Sequence, residues 1–354
     1  MNYPAIAGLA CLAIAMGIGR FAFTPILPMM ELSVGEGAWL ATANYLGYLS
    51  GALSAMVLAW RPMTAIRVGL AAVAASTLGM ALASSFEAGM VLRFVAGVAS
   101  AWVLVNVSAL GAGRPEVVFS GVGLGIAFAG LTCLALMAAG ASARHAWWTL
   151  GFAAAAGLVV LWPAAASAPT ASPQAHAPIP AHSWLLVACY GAFGFGYIVP
   201  ATFLPAMARE AIPDPLLFGL AWPLFGTAAA ASTLLAGPAR RRWGDRRVWI
   251  GSHLLMALGV AVLLAPFVPA GLAMGASALL VGGTFMVATL AGVQEARRLG
   301  GAGARALIGA MTAAFAVGQI AGPFLVSLVH NVTLSLAAAV VLLVASAFVL
   351  GRIR

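Results

Sequence analysis

Charged side chains are scarce in this sequence, and lysine is missing altogether. The 354 residues include only 17 basic and eight acidic ones, and every basic residue is an arginine. Charged residues make up 7% of the chain and hydrophobic residues 63%, with a mean hydropathy of +1.06. Soluble domains carry roughly 25% charged residues. The composition therefore excludes an ordinary soluble domain and predicts an integral membrane protein.

Cysteine is also rare, and no metal-ligand pattern is present. Cys11, Cys133 and Cys189 lie inside apolar runs, so they are interpreted as small hydrophobic residues rather than disulfide partners or metal ligands. The histidines are expected in or near connections and span ends: His145, His176, His182, His253 and His330. We expect no metal, no cofactor and no catalytic residues.

The net charge of +9 would suggest a nucleic-acid partner in a soluble protein. Here most arginines sit near the ends of apolar runs, where basic residues set membrane orientation. We therefore expect no nucleic-acid partner. The first 20 residues lack a basic leading region and a small-residue cleavage site, so the first apolar helix is expected to be retained.

Apolar stretches of about 20 residues, the length that crosses a bilayer, recur from end to end. Twelve candidate spans start near residues 5, 37, 65, 88, 115, 146, 184, 216, 247, 270, 304 and 332. With both termini cytoplasmic, most arginines fall on the cytoplasmic side, while Arg93, Arg144 and Arg209 fall in outside connections. We expect a multi-pass protein of the cytoplasmic (inner) membrane.

The chain divides into two similar halves. Residues 163–183 are rich in Ala, Pro and Ser and are interpreted as a flexible cytoplasmic linker between residues 1–162 and 184–354. A shift of 177 positions aligns "AMGIGRFAFTPILPMM" with "AFGFGYIVPATFLPAM", which share a Gly-x-Gly and a Leu-Pro at the same spacing. The fold predicted is an all-α integral membrane protein of twelve transmembrane helices in two six-helix pseudo-repeat halves.

Three stretches carry a resemblance to a known family. "GIGRFAFTPILPMM", "WLATANYLGYLSGAL" and "GFGYIVPATFLP" resemble the uncharacterised YbfB/YjiJ-like branch of the major facilitator superfamily. The resemblance implies the fold of that superfamily and solute transport, without naming a substrate. The general motifs are only partly kept: in "GPARRRWGDRRVW" Arg241 stands where the family usually has an acid.

Arg20 stands out because it lies within the first apolar span. A basic residue at a helix centre costs about 2.5–3.5 kcal/mol in insertion scales. Glu31, the nearest acid in the sequence, is about 16 Å away along a helix. Two interpretations stay open: Arg20 binds an anionic ligand through its planar fork, or it is structural and bonds to neighbouring backbone and tyrosines.

Other polar and aromatic side chains are candidates for a substrate site. Gly17, Arg20 and Thr24 are spaced to share one helix face. The further candidates come from both halves: Asn44, Tyr45, Tyr48, Asn106, Tyr197, Trp222, Phe315 and Gln319. For each of them, interhelical hydrogen bonding or ordinary packing is the alternative.

The leading hypothesis is a secondary active or facilitative transporter that works by alternating access. Its partners would be the lipid bilayer and a small organic solute, with an organic anion as the candidate class, and we expect a monomer. The alternatives are a membrane-embedded enzyme and a solute sensor that does not transport. The sequence leaves the direction and the coupling ion open.

Overall fold

A computed structural model describes residues 3–58, 60–110, 114–162, 179, 183–211, 219–329 and 331–353. Within these ranges the chain is helical and contains no strand. The predicted linker over 163–183 lies outside the described residues except for Ile179 and Ser183. The all-helical expectation is confirmed for the part of the chain that the structure covers.

Thirteen α-helices follow one another in the described residues. They are α1 (Tyr3–Leu12), α2 (Phe23–Ile26), α3 (Val34–Val57), α4 (Pro62–Leu82), α5 (Phe86–Leu110), α6 (Pro115–Ala138), α7 (Ala143–Leu161), α8 (Trp184–Ala211), α9 (Ala221–Trp243), α10 (Asp245–Ala261), α11 (Ala270–Gly300), α12 (Ala304–Val329) and α13 (Val332–Arg352).

Eight segments are long and apolar enough to cross a membrane. One of them, Ala270–Val326, contains most of both α11 and α12, and another, Ala5–Met29, runs through α1 and α2. Together with the composition, these segments identify a multi-pass membrane protein.

The first apolar segment is not a regular helix. Between α1 and α2 the residues Ala13–Phe21 form a π-helix, and Leu27–Met29 form a 3₁₀ turn after α2. Single-turn π-helices are often found at functional sites, and here the π-helix contains Arg20. Gly17 does not share the face of Arg20 as predicted: a side chain there would collide with the backbone of Gly125 in α6.

The helices of the two halves pack in the same order. In the first half α3 packs on α5, α5 on α4 and α4 on α7; in the second half α9 packs on α11, α11 on α10 and α10 on α13. The two largest contacts between the halves are α6 with α9 and α3 with α12, and smaller ones join α5 with α12 and α6 with α11. At the first pair Gly123 approaches the backbone of Gly226 and Ala230 so closely that a Cβ there would clash.

Polar contacts join the two halves at one end of these pairs. Glu116, at the start of α6, forms an ion pair with Arg240 of α9 at 3.7 Å. Arg305, at the start of α12, donates a hydrogen bond of 3.3 Å to the carbonyl of Leu58 directly after α3. We call this the Glu116–Arg240 end; Arg20 and Thr24 lie farther along the helices, toward the opposite end.

Candidate functional site

Arg20 lies buried between the two halves, with only 3% of its surface exposed. Its Nη1 donates to Oδ1 of Asn44 in α3 at 3.3 Å, and its Nη2 donates to Oε1 of Gln319 in α12. The guanidinium carbon lies 3.8 Å from the centre of the Tyr48 ring and 5.4 Å from that of Tyr45. Arg20 is therefore held by two amides and by aromatic faces, which attract cations.

No acid neutralises this cation among the residues that the structure describes. The ion pairs found there involve Glu116, Asp245 and Glu295, none of which contacts Arg20. Within the described part of the chain, the Nε of Arg20 is buried without a hydrogen-bond partner, as is Nε2 of Gln319. A buried charge is costly unless it is paired or hydrogen-bonded, and here only neutral groups surround it among the described residues.

A cavity of about 70 Å³ adjoins Arg20. We call it the head cavity. Its polar lining comes from Arg20, Arg93, Thr24, Tyr45, Tyr197 and Trp222, and the rest of its wall is apolar. This free space is large enough for several water molecules or for a small polar group.

Arg93 is the residue of this cavity that the sequence analysis misplaced. It was predicted in an outside connection, but it lies about two turns into α5 and is 3% exposed. Its Nη1 and Nη2 donate to the carbonyls of Gly19 and Arg20, each at 3.2 Å, and its guanidinium carbon lies 4.6 Å from the centre of the Phe23 ring.

The sequence of the first segment explains why the Arg20 carbonyl needs a donor. In a π-helix a carbonyl bonds to the N–H five residues ahead, and five residues after Arg20 stands Pro25, which has none. Arg93 takes the place of that donor and ties the irregular segment to α5. In the sequence, the Arg-x-x-x-Gly spacing of Arg93 and Gly97 within an apolar run is a signal that could have located it.

A comparison with protein families identifies the chain. Residues 12–353 match the model of a family described as "Uncharacterised MFS-type transporter YbfB". The chain belongs to this family. A search of curated proteins finds no match. Membership makes the protein an MFS-type transporter, a class that moves solutes across membranes, and it favours a transporter over an enzyme.

Most of the predicted site residues of this MFS-type transporter lie together. Arg20, Thr24, Tyr45, Tyr197 and Trp222 line the head cavity, while Asn44, Tyr48 and Gln319 contact Arg20 directly. Their burial is consistent with a site between the halves, and their role in binding stays a prediction.

Two predicted residues lie elsewhere. Phe315 does not line the head cavity; its ring packs 4.9 Å from that of Phe193 and 6.0 Å from that of Tyr197. Asn106 donates to the carbonyl of Trp102 within α5 and is likewise absent from the cavity wall. The structure shows packing for Phe315 and a local hydrogen bond for Asn106, and a role of either in binding a solute stays a prediction.

The histidine expectation also needs a correction. His253 is fully buried inside α10, where its Nε2 accepts a hydrogen bond of 2.8 Å from Nε1 of Trp249. It was expected near a span end, and it packs instead against the Phe193 ring. His176, His182 and His330 lie outside the described residues. The part of the chain that the structure describes contains no group of side chains arranged to hold a metal.

Proposed function

We propose that this MFS-type transporter carries a small organic anion, bound at Arg20, across the cytoplasmic membrane by alternating access. Arg20 carries the proposal: a buried cation, on the wall of a cavity, whose partners are neutral amides from both halves. An anion is the ligand that such a guanidinium binds best, because its planar fork matches a carboxylate.

The proposed architecture is twelve spans in two six-helix halves, 1–162 and 184–354, with 163–183 as a cytoplasmic linker and both termini inside. The repeated packing order of the helices supports the two halves. The α6–α9 and α3–α12 pairs then form the interface about which the halves would rock. Arg20 and Gln319 lie on opposite sides of that interface, so a solute bound between them would contact both halves.

In the proposed orientation the structure is closed at its cytoplasmic end. The Glu116–Arg240 end is cytoplasmic in this orientation, and its two polar contacts join the halves there. The head cavity lies toward the other end, with Thr24 and Leu27 in its wall. Release into the cytoplasm would require these contacts to break while contacts near Thr24 form.

Two substitutions of Arg20 test the anion site. Arg20→Lys keeps the charge but loses the bidentate fork, so the affinity for a small carboxylate should fall by roughly tenfold or more. Arg20→Gln removes the charge and should lower that affinity further. The measurement is a titration of the purified protein with carboxylates, after a thermal-shift screen that also includes amines and sugars.

The structural interpretation of Arg20 gives the opposite pattern. If Arg20 only holds the helices together, both variants should lose thermal stability, and the affinity of the folded fraction should stay at the wild-type value. Wild-type affinity in a stable Arg20→Gln protein would exclude a substrate-binding role. A sensor that binds without transporting would show the affinity changes but no exchange of labelled for unlabelled solute.

A further inference from the structure

A second pocket, of about 40 Å³, adjoins the head cavity. Thr24, Ala201 and Trp222 line both spaces, so the two are neighbours across these side chains. We call the second space the body pocket. Apart from the three shared residues its wall is apolar, with Met137 from α6 and Phe225 from α9 among its members.

The two arginines of the head cavity differ in how firmly they are held. Arg93 donates to two main-chain carbonyls, which cannot turn away without unfolding the helix. Arg20 donates to the amide oxygens of Asn44 and Gln319, and a side-chain amide can rotate. A ligand can therefore displace the partners of Arg20 more easily than those of Arg93, so Arg20 is the guanidinium that takes the negative group; Arg93 keeps only a buried Nε without a partner among the described residues.

Among the residues that the structure describes, the body pocket offers little to a second charge. Its polar side-chain groups there are the Thr24 hydroxyl and the indole N–H of Trp222, and this N–H is buried without a partner. A carboxylate placed there would lose its water without meeting a cation, which is strongly unfavourable. The Trp222 and Phe225 rings are stacked 5.2 Å apart, so the wall presents flat apolar surfaces.

From this arrangement we infer that the solute is an amphipathic monoanion. Its single carboxylate binds Arg20 in the head cavity, and its body, a short alkyl chain or one aromatic ring, fills the body pocket beyond Thr24, Ala201 and Trp222. This inference rests on the proposed function and narrows it to one class of substrate.

A matched set of probes tests three features of the solute separately: its negative charge, its apolar body and the number of its carboxylates. Benzoate and hexanoate each have one carboxylate and an apolar body; acetate lacks the body, terephthalate and adipate carry a second carboxylate, and benzamide and hexanamide lack the charge. Burial of the body should make benzoate or hexanoate bind about tenfold to a hundredfold more tightly than acetate. The dicarboxylates and the amides should bind at least about tenfold more weakly than the matching monocarboxylate.

A substitution in the body pocket tests its location. Ala221 lines the body pocket but not the head cavity, so Ala221→Leu should weaken benzoate and hexanoate and leave acetate unchanged. Ala75→Leu, the same change at an exposed position of α4, is the control and should alter neither. The melting temperature of each ligand-free variant shows whether the fold is kept, and the acetate affinity shows whether the head cavity is intact.

The outcomes distinguish this inference from the proposed function. Acetate, benzoate and terephthalate could bind with equal affinity and all bind more weakly to Arg20→Gln. In that case the inference of an amphipathic monoanion is wrong, and the proposed anion site at Arg20 is supported. The absence of saturable binding by both benzoate and hexanoate also overturns the inference. If the probes bind equally well to wild type and Arg20→Gln, the proposed anion site itself is wrong.

Discussion

Replacing Gln319 by glutamate should lower the affinity of the site for anions without unfolding the protein. Gln319 Oε1 accepts a hydrogen bond from Arg20, whereas its buried Nε2 has no partner among the residues that the structure describes. Gln319→Glu replaces that nitrogen by oxygen, so it removes no hydrogen bond seen in the structure. The new carboxylate lies against the Arg20 guanidinium, which favours its ionised form.

The size of the effect follows from what the ligand loses. In the wild type a carboxylate gains a charge-assisted contact with Arg20, and such contacts are worth about 1.5–3 kcal/mol. In Gln319→Glu this contact is already made within the protein, so the affinity for carboxylates should fall roughly 10- to 150-fold. The melting temperature without ligand should stay the same or rise, because a buried cation acquires a counter-charge.

The assay is a titration with the tightest-binding carboxylate of the probe set, together with a melting curve. Gln294→Glu is the matched control: it adds the same charge in α11 at a position that does not line either pocket. It should leave the carboxylate affinity within about twofold of the wild type. A folded Gln319→Glu protein with wild-type affinity would refute the reasoning that Arg20 is the anion contact.

Three further predictions concern packing, the irregular first segment and topology. Gly123→Ala should lower stability by about 1–3 kcal/mol and slow transport because its Cβ meets the α9 backbone, whereas Gly283→Ala has open space; equal melting temperatures would contradict this. Arg93→Lys should lose one of two charge-assisted hydrogen bonds, so unfolding measurements should show about 1.5–3 kcal/mol less stability; unchanged stability would show that the carbonyl contacts contribute nothing. With an impermeant thiol reagent on intact cells, Ile212→Cys should react and Ser172→Cys should not, and the reverse would overturn the orientation; the native cysteines are buried.

The helix starts were predictable because they carry local signals. Helices α4 and α6 begin at Pro62 and Pro115, and a proline in the first turn costs no hydrogen bond. Ser33 and Glu36 form a capping box at the start of α3. The predicted starts near residues 37, 65 and 115 lie within three residues of the starts of α3, α4 and α6, because the length of an apolar run is a local property of the sequence.

The site was predicted residue by residue but not as an arrangement. Arg20 and Gln319 are 299 positions apart, and no local pattern states that they meet. The π-helix around Arg20 packs against α6 at Gly17 and Gly125, and the glycines alone do not state which helix they meet. Arg93 was misplaced because a charge near a helix start was taken as a marker of orientation, although a buried carbonyl pair can hold it inside the protein.

Solute counterflow in proteoliposomes tests the central claim most directly. Vesicles are loaded with unlabelled carboxylate, the tightest binder of the probe set, and diluted into a trace of its radiolabelled form. Wild-type protein should accumulate label transiently above equilibrium, and Arg20→Gln should give the level of protein-free vesicles. No accumulation by a wild-type protein that binds the same carboxylate, or equal accumulation by Arg20→Gln, would contradict the account of a carrier that holds its anionic solute at Arg20.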